Sequence, residues 1–97
     1  MWETKVTRTV VVTDPAGLHA RTAVAIAETV RRSQSRVTLT KDQEPVAGTD
    51  VLQILTMVAH QGDTVTLEAV GPDADAVLSA LEPVFAGRFG DEAKESA

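Results

Sequence analysis

At 97 residues the chain is long enough for one domain around one small core, and its 43% hydrophobic content is almost all aliphatic. One Trp, two Phe and no Tyr supply few stacking platforms for single-stranded nucleic acid, and a net charge of −5 repels phosphate backbones. With no cysteine there is no disulfide framework and no thiolate metal site, which fits a reducing, cytoplasmic setting.

The first predicted element is a strand over Val6–Thr13 (VTRTVVVT), rich in β-branched residues. Asp14-Pro15-Ala16-Gly17 breaks it with a turn. From Ala20 to Arg32 the residues Ala20, Ala23, Val24, Ala27 and Val30 recur at spacings of three and four, one face of a helix. Arg31 and Arg32 suit the negative end of its dipole. Ser35–Thr40 alternates, with Val37 and Leu39 on one face, and predicts a second strand. Lys41 to Glu44 is a polar turn, and Pro45-Val46-Ala47 a short edge strand, where proline is tolerated. Gly48-Thr49-Asp50 caps a short helix over Val51–Val58 that stops near His60-Gln61-Gly62. Thr64–Val70 alternates again as a strand, and Asp73 is the expected N-cap of a last helix striped with Val77, Leu78, Leu81, Val84 and Phe85. Pro83 lies late in that helix as a kink, and Gly90–Ala97 is a charged tail.

The order is βαββαβα, with threonines at 7, 9, 38, 40, 64 and 66 forming a polar outer face. The expected class is therefore α+β, with an antiparallel sheet covered by helices on one side only. No repeat or linker interrupts the chain, so residues 1–97 are expected to be one domain, with a core over about 5–90 and a tail over 91–97. No segment reaches signal-peptide character or the ~20 apolar residues of a membrane span, so no membrane insertion is expected. Residues 1–62 carry seven Lys and Arg against six Asp and Glu, whereas 63–97 carry two against eight. The first part is thus the side suited to an anionic ligand or an acidic partner.

Chemistry concentrates in Gly17-Leu18-His19-Ala20-Arg21, which sets an imidazole where a turn becomes a helix, with an arginine two residues on. Free N–H groups and the positive dipole end make a helix N-terminus an anion site. A neutral imidazole there offers a ring nitrogen as nucleophile, and the N–H groups of Ala20 and Arg21 and the Arg21 guanidinium stand ready for phosphoryl oxygens. His19 and His60 lack the spacing of a metal pair, and neither a catalytic triad nor a nucleotide-binding glycine loop is present, so no metal or cofactor is expected.

Gly17-Leu18-His19-Ala20-Arg21, placed between a first strand and a first helix, resembles the active-site motif of the HPr phosphocarriers of the phosphoenolpyruvate-dependent sugar phosphotransferase system. Gly48 to Leu55 is similar to that family's regulatory-site helix, and Gln61 to Leu67 with Gly71-Pro72-Asp73-Ala74 to its fourth strand and third helix start. Phe89-Gly90-Asp91 also recurs there, so the resemblance spans roughly residues 5–90. It implies an open-faced sandwich in which a four-stranded antiparallel sheet is covered on one face by three helices. It further implies that His19 is phosphorylated at Nδ1, that Arg21 steadies the phosphoryl group, and that Val51, Leu52 and Leu55 form the apolar docking patch. The protein would be a monomeric cytoplasmic carrier rather than a turnover enzyme, receiving phosphate from enzyme I and passing it to a sugar-specific or regulatory acceptor.

Three positions depart from the family pattern. Thr22 stands where proline usually follows the arginine, Ala16 where a polar residue is common, and Asp50 at the regulatory serine. Asp50 keeps open a regulatory member of the family that does not serve sugar transport. From another class, a ferredoxin-like ligand-binding module would treat His19 as a cap alone, but gives no reason for the pentapeptide.

Overall fold

The computed structural model describes residues 4–89. Its elements run β1 (Thr4–Val11), α1 (Ala20–Arg31), β2 (Arg36–Lys41), β3 (Glu44–Ala47), α2 (Val51–Thr56), β4 (Thr64–Gly71) and α3 (Ala74–Leu81), closed by a 3₁₀ helix over Glu82–Ala86. The strands form one antiparallel sheet in the order β1-β4-β2-β3. The fold is thus the α+β open-faced sandwich with helices on one face. The tail over 91–97, with Gly90, lies outside the described residues.

Alternation decides which sheet face is covered. Val37 and Leu39 of β2 and Val65, Leu67 and Ala69 of β4 are buried against the helices. The opposite face carries the threonine row Thr9–Thr66–Thr40, aligned across β1, β4 and β2. Onto the apolar face pack Ala23, Ile26, Ala27 and Val30 of α1, Ile54 of α2, and Val77, Leu78 and Leu81 of α3, with Phe85 at the end.

The structure corrects several local expectations. β1 spans Thr4–Val11, not Val6–Thr13, because Thr13 N–H turns to the Phe85 carbonyl at 3.1 Å, as does Asp14 N–H at 3.2 Å. The buried face of α1 is rotated: Thr22 and Ile26 point inward, while Ala20 and Val24 are exposed. Ile26 is the largest apolar side chain of the helix, and burying it sets the rotation. α2 ends at Thr56 rather than Val58, since the chain turns tightly at Met57 (φ −81°, ψ 87°), where Val58 N–H donates back to the Thr56 carbonyl at 3.1 Å; Met57 and Ala59 are buried, with Val58 outside between them. α3 stops at Leu81. Pro83, which has no N–H to give, fits the first turn of the 3₁₀ helix that carries Val84 and Phe85 into the core.

Asp73 sits at the N-cap position of α3, but its side chain makes no capping bond to that helix. It accepts instead from the Ser35 hydroxyl and from Gln34 N–H at 3.0 Å, tying the start of α3 to the entry of β2. Those donors hold its carboxyl below the usual carboxylate range, the Ser35 hydroxyl contributing most. Asp50 does cap its helix: its carboxylate accepts from Gln53 N–H at 3.0 Å.

Candidate functional site

The site grows from the loop between β1 and α1. Its bend needs Gly17, whose φ of +72° is open to glycine and strained for side-chain residues. A Cβ there would also stand 2.7 Å from the Ala59 carbonyl oxygen. That oxygen accepts from Leu18 N–H at 2.9 Å, so the loop is pinned against the segment that follows α2. His19 is consequently the N-cap residue of α1, with extended φ and ψ of −125° and −174°. Its carbonyl accepts from Ala23 N–H at 2.9 Å, while its side chain makes no cap bond and is 36% exposed. Ala20 and Arg21 open α1, so their N–H groups lie at the positive end of its dipole.

The imidazole is held on one side. Its Nε2 lies 3.1 Å from the Thr22 hydroxyl and 3.4 Å from Asp14 Oδ2. Nδ1 has no hydrogen-bond partner among the described residues. The ring of Phe89 approaches edge to face at 6.4 Å and 68°, and the Arg21 guanidinium lies over the same ring at 4.6 Å. His19 and Arg21 thus meet at Phe89, a residue the sequence reading took only as part of a recurring terminal motif. Thr22 is buried, and its hydroxyl reaches a ring nitrogen that a proline side chain has no polar atom to meet. Ala16 carries no polar side chain, but its N–H donates to Asp14 Oδ1 at 2.9 Å.

Asp14 went unread as a site residue. The signal for it was an aspartate opening a Pro-Gly turn, a residue whose side chain commonly bonds back to the turn's own N–H groups. What sequence does not carry is that the same carboxylate comes within reach of a ring five positions later.

The expected docking residues are placed unequally. Leu52 is 76% exposed, whereas Val51 and Leu55 are half-buried and packed on the core. Val58 is exposed beside Ala59, the residue that pins the site loop, and Val24 is exposed on α1. His60 pairs with Asp63, its N–H donating to Oδ2 at 2.9 Å. Among the described residues no group of three His, Asp or Glu side chains is arranged to hold a metal ion, and no helix is long and apolar enough to cross a membrane.

The family model for the PTS HPr component phosphorylation site matches residues 6–86. The phosphocarrier protein HPr of Treponema pallidum is 36% identical over 87 residues, covering 90% of this chain and 99% of its own. The phosphocarrier protein NPr of Shewanella violacea is 33% identical over 90 residues, covering 93% and 98%. Among solved structures, HPr from Bacillus anthracis superposes with a TM-score of 0.79 at 26% identity, over 84% of this chain and 96% of that one.

Proposed function

The chain belongs to the HPr phosphocarrier family, and from that premise we propose that it accepts a phosphoryl group on His19 from phospho-enzyme I and passes it to a sugar-specific or regulatory acceptor protein. The observation that carries this reading is the half-exposed imidazole at the N-terminus of α1, with the Ala20 and Arg21 N–H groups immediately behind it. A nucleophile at that point meets an incoming phosphorus atom, and the helix end meets the charge on its oxygens. Arg21 adds a guanidinium two residues on, suited to bidentate contact with those oxygens.

In this reading Nδ1 attacks phosphorus, a nitrogen–phosphorus bond forms, and the bond to the donor breaks with its electron pair returning to the donor. The reverse step delivers the group to the acceptor. The protein is a carrier of the group rather than a turnover enzyme, works in the cytoplasm as a monomer, and calls for no metal or cofactor. Leu52, with Val51 and Leu55 beside it, offers apolar surface to donor and acceptor in turn.

Incubation with enzyme I and phosphoenolpyruvate should add the mass of one phosphoryl group, in a form labile to acid and stable to alkali. His19→Ala should take up none. Uptake of phosphate by that variant under the same conditions would refute the assignment.

A further inference from the structure

We propose that Asp14 is a positioning residue that fixes the tautomer of His19, holding the ring proton on Nε2 so that Nδ1 presents its lone pair. The inference rests on the phosphocarrier reading for its purpose, but not for its geometry. An ionised carboxylate is acceptor-only, so a ring nitrogen that bonds to Asp14 Oδ2 must carry the hydrogen. The Thr22 hydroxyl, 3.1 Å from the same nitrogen, can accept as well as donate and is compatible with that arrangement. Two oxygens on Nε2, one of them unable to donate, and none among the described residues on Nδ1, select one of the two neutral forms.

The carboxylate is itself held in place. Oδ1 accepts from Ala16 N–H at 2.9 Å, the Asp14 carbonyl accepts from Gly17 N–H at 2.8 Å, and Asp14 N–H donates to the Phe85 carbonyl. The side chain is 12% exposed. Room for it depends on Gly87, where a Cβ would stand 2.8 Å from Oδ2. An aspartate bound at one oxygen by its own turn and walled by a glycine has one oxygen left to give, and that one faces the imidazole.

The consequence for transfer follows from proton bookkeeping. When Nδ1 bonds to phosphorus, no proton has to leave the ring, because the only one is on Nε2. The ring becomes cationic while its Nε2–H still faces the carboxylate, so a hydrogen bond from a neutral ring to an anion becomes one between opposite charges in the phosphorylated state. On the return step the nitrogen–phosphorus bond breaks, its electron pair goes back to Nδ1, and the Nε2 proton again stays in place.

Asp14→Asn separates this role from a structural one. The amide oxygen keeps the Ala16 N–H, which turns the amide NH₂ toward Nε2 and makes it a donor. The expected result is a shift of the ring proton to Nδ1, read in the neutral ring by two-bond ¹H–¹⁵N correlations of the full chain. His60→Gln distinguishes the two histidines. Phosphorylation by enzyme I should slow about ten- to a hundredfold, the loss expected for one charge-assisted contact. Thr22→Val should leave the proton on Nε2. A wild-type ring found mainly as Nδ1–H would overturn the proposal even if Asp14→Asn failed to fold. So would an unchanged tautomer in Asp14→Asn, or its loss in Thr22→Val. If the tautomers behave as stated and His19 still takes no phosphate, the carrier reading fails and the positioning role stands.

Discussion

Arg21 faces two demands on one guanidinium: it lies over the Phe89 ring, and the phosphocarrier reading needs it at the phosphoryl oxygens. Magnitudes separate the two. An exposed cation–π contact is worth about 0.5–1 kcal/mol, a charge-assisted hydrogen bond about 1.5–3 kcal/mol. The phosphoryl contact is worth more than the ring contact, so on the phosphocarrier reading Phe89 would be a resting contact that the guanidinium gives up when the phosphoryl group arrives. Arg21→Ala should melt within a few degrees of wild type, yet exchange phosphate with enzyme I roughly ten- to a hundredfold more slowly. Stopped transfer assays with donor and acceptor measure this, and unchanged rates with both would reduce Arg21 to a surface charge. Thr22, buried in the first turn of α1, meets the imidazole with its hydroxyl.

At the scale of elements, two aspartates with the same predicted role part company. Asp50 caps α2 through Gln53 N–H, whereas Asp73 turns away from α3 to bind Gln34 and Ser35. A six-residue helix such as α2 gains little from propagation, so its cap carries a large share of its local stability. If, as the motif resemblance implies, Asp50 stands at the position of the family's regulatory serine, it puts a permanent carboxylate there, close in sequence to the exposed Leu52. A carboxylate carries less charge than the ~−1.5 to −2 of phosphoserine, so any weakening of docking to an acidic partner is partial. Asp50→Ser keeps a good cap and removes the charge. It should leave the melting temperature nearly unchanged, where Asp50→Ala costs about 0.5–2 kcal/mol. Phosphorylation by enzyme I should accelerate in Asp50→Ser, most clearly at low ionic strength. A rate that stays level there would leave Asp50 as a cap alone.

Across the whole molecule, core and site share their supports. The Phe85 ring is buried in the core, and its carbonyl receives the N–H groups of Thr13 and Asp14. The 3₁₀ helix thereby holds the start of the site loop, while Ala59, beyond α2, holds its other side through Leu18. Exposed apolar side chains sit on the same helical layer: Val24 on α1, Leu52 on α2 and Val58 just past it. Leu52→Ser should change stability by no more than about 0.5 kcal/mol, because so exposed a side chain contributes little to the core. Transfer should slow by roughly five- to thirtyfold, the range of a moderate interface contact worth one or two kcal/mol. Comparing kcat/KM with the melting temperature tests the assignment, and a rate unchanged by Leu52→Ser would move the docking surface elsewhere.

Much of this protein is written in local sequence. Period-two burial in Val37, Leu39, Val65, Leu67 and Ala69 and the punctuation at Pro15-Ala16-Gly17 and Gly71-Pro72 determine the order of elements, because both act within a few residues. The pentapeptide around His19 marks the site for the same reason: an imidazole, its helix N–H groups and Arg21 are neighbours along the chain. What tertiary structure alone decided is where that helix turns and what surrounds the ring. Apolar periodicity in α1 is nearly balanced between two adjacent faces, and burial of Ile26 against the sheet tips it, carrying Thr22 inward to Nε2. The approach of Asp14 depends on Gly87 and Phe85, more than seventy positions away, and the stacking of Arg21 on Phe89 spans a similar distance. Such contacts have no period and no spacing along the sequence, since they exist only once the 3₁₀ turn has packed back against the first loop.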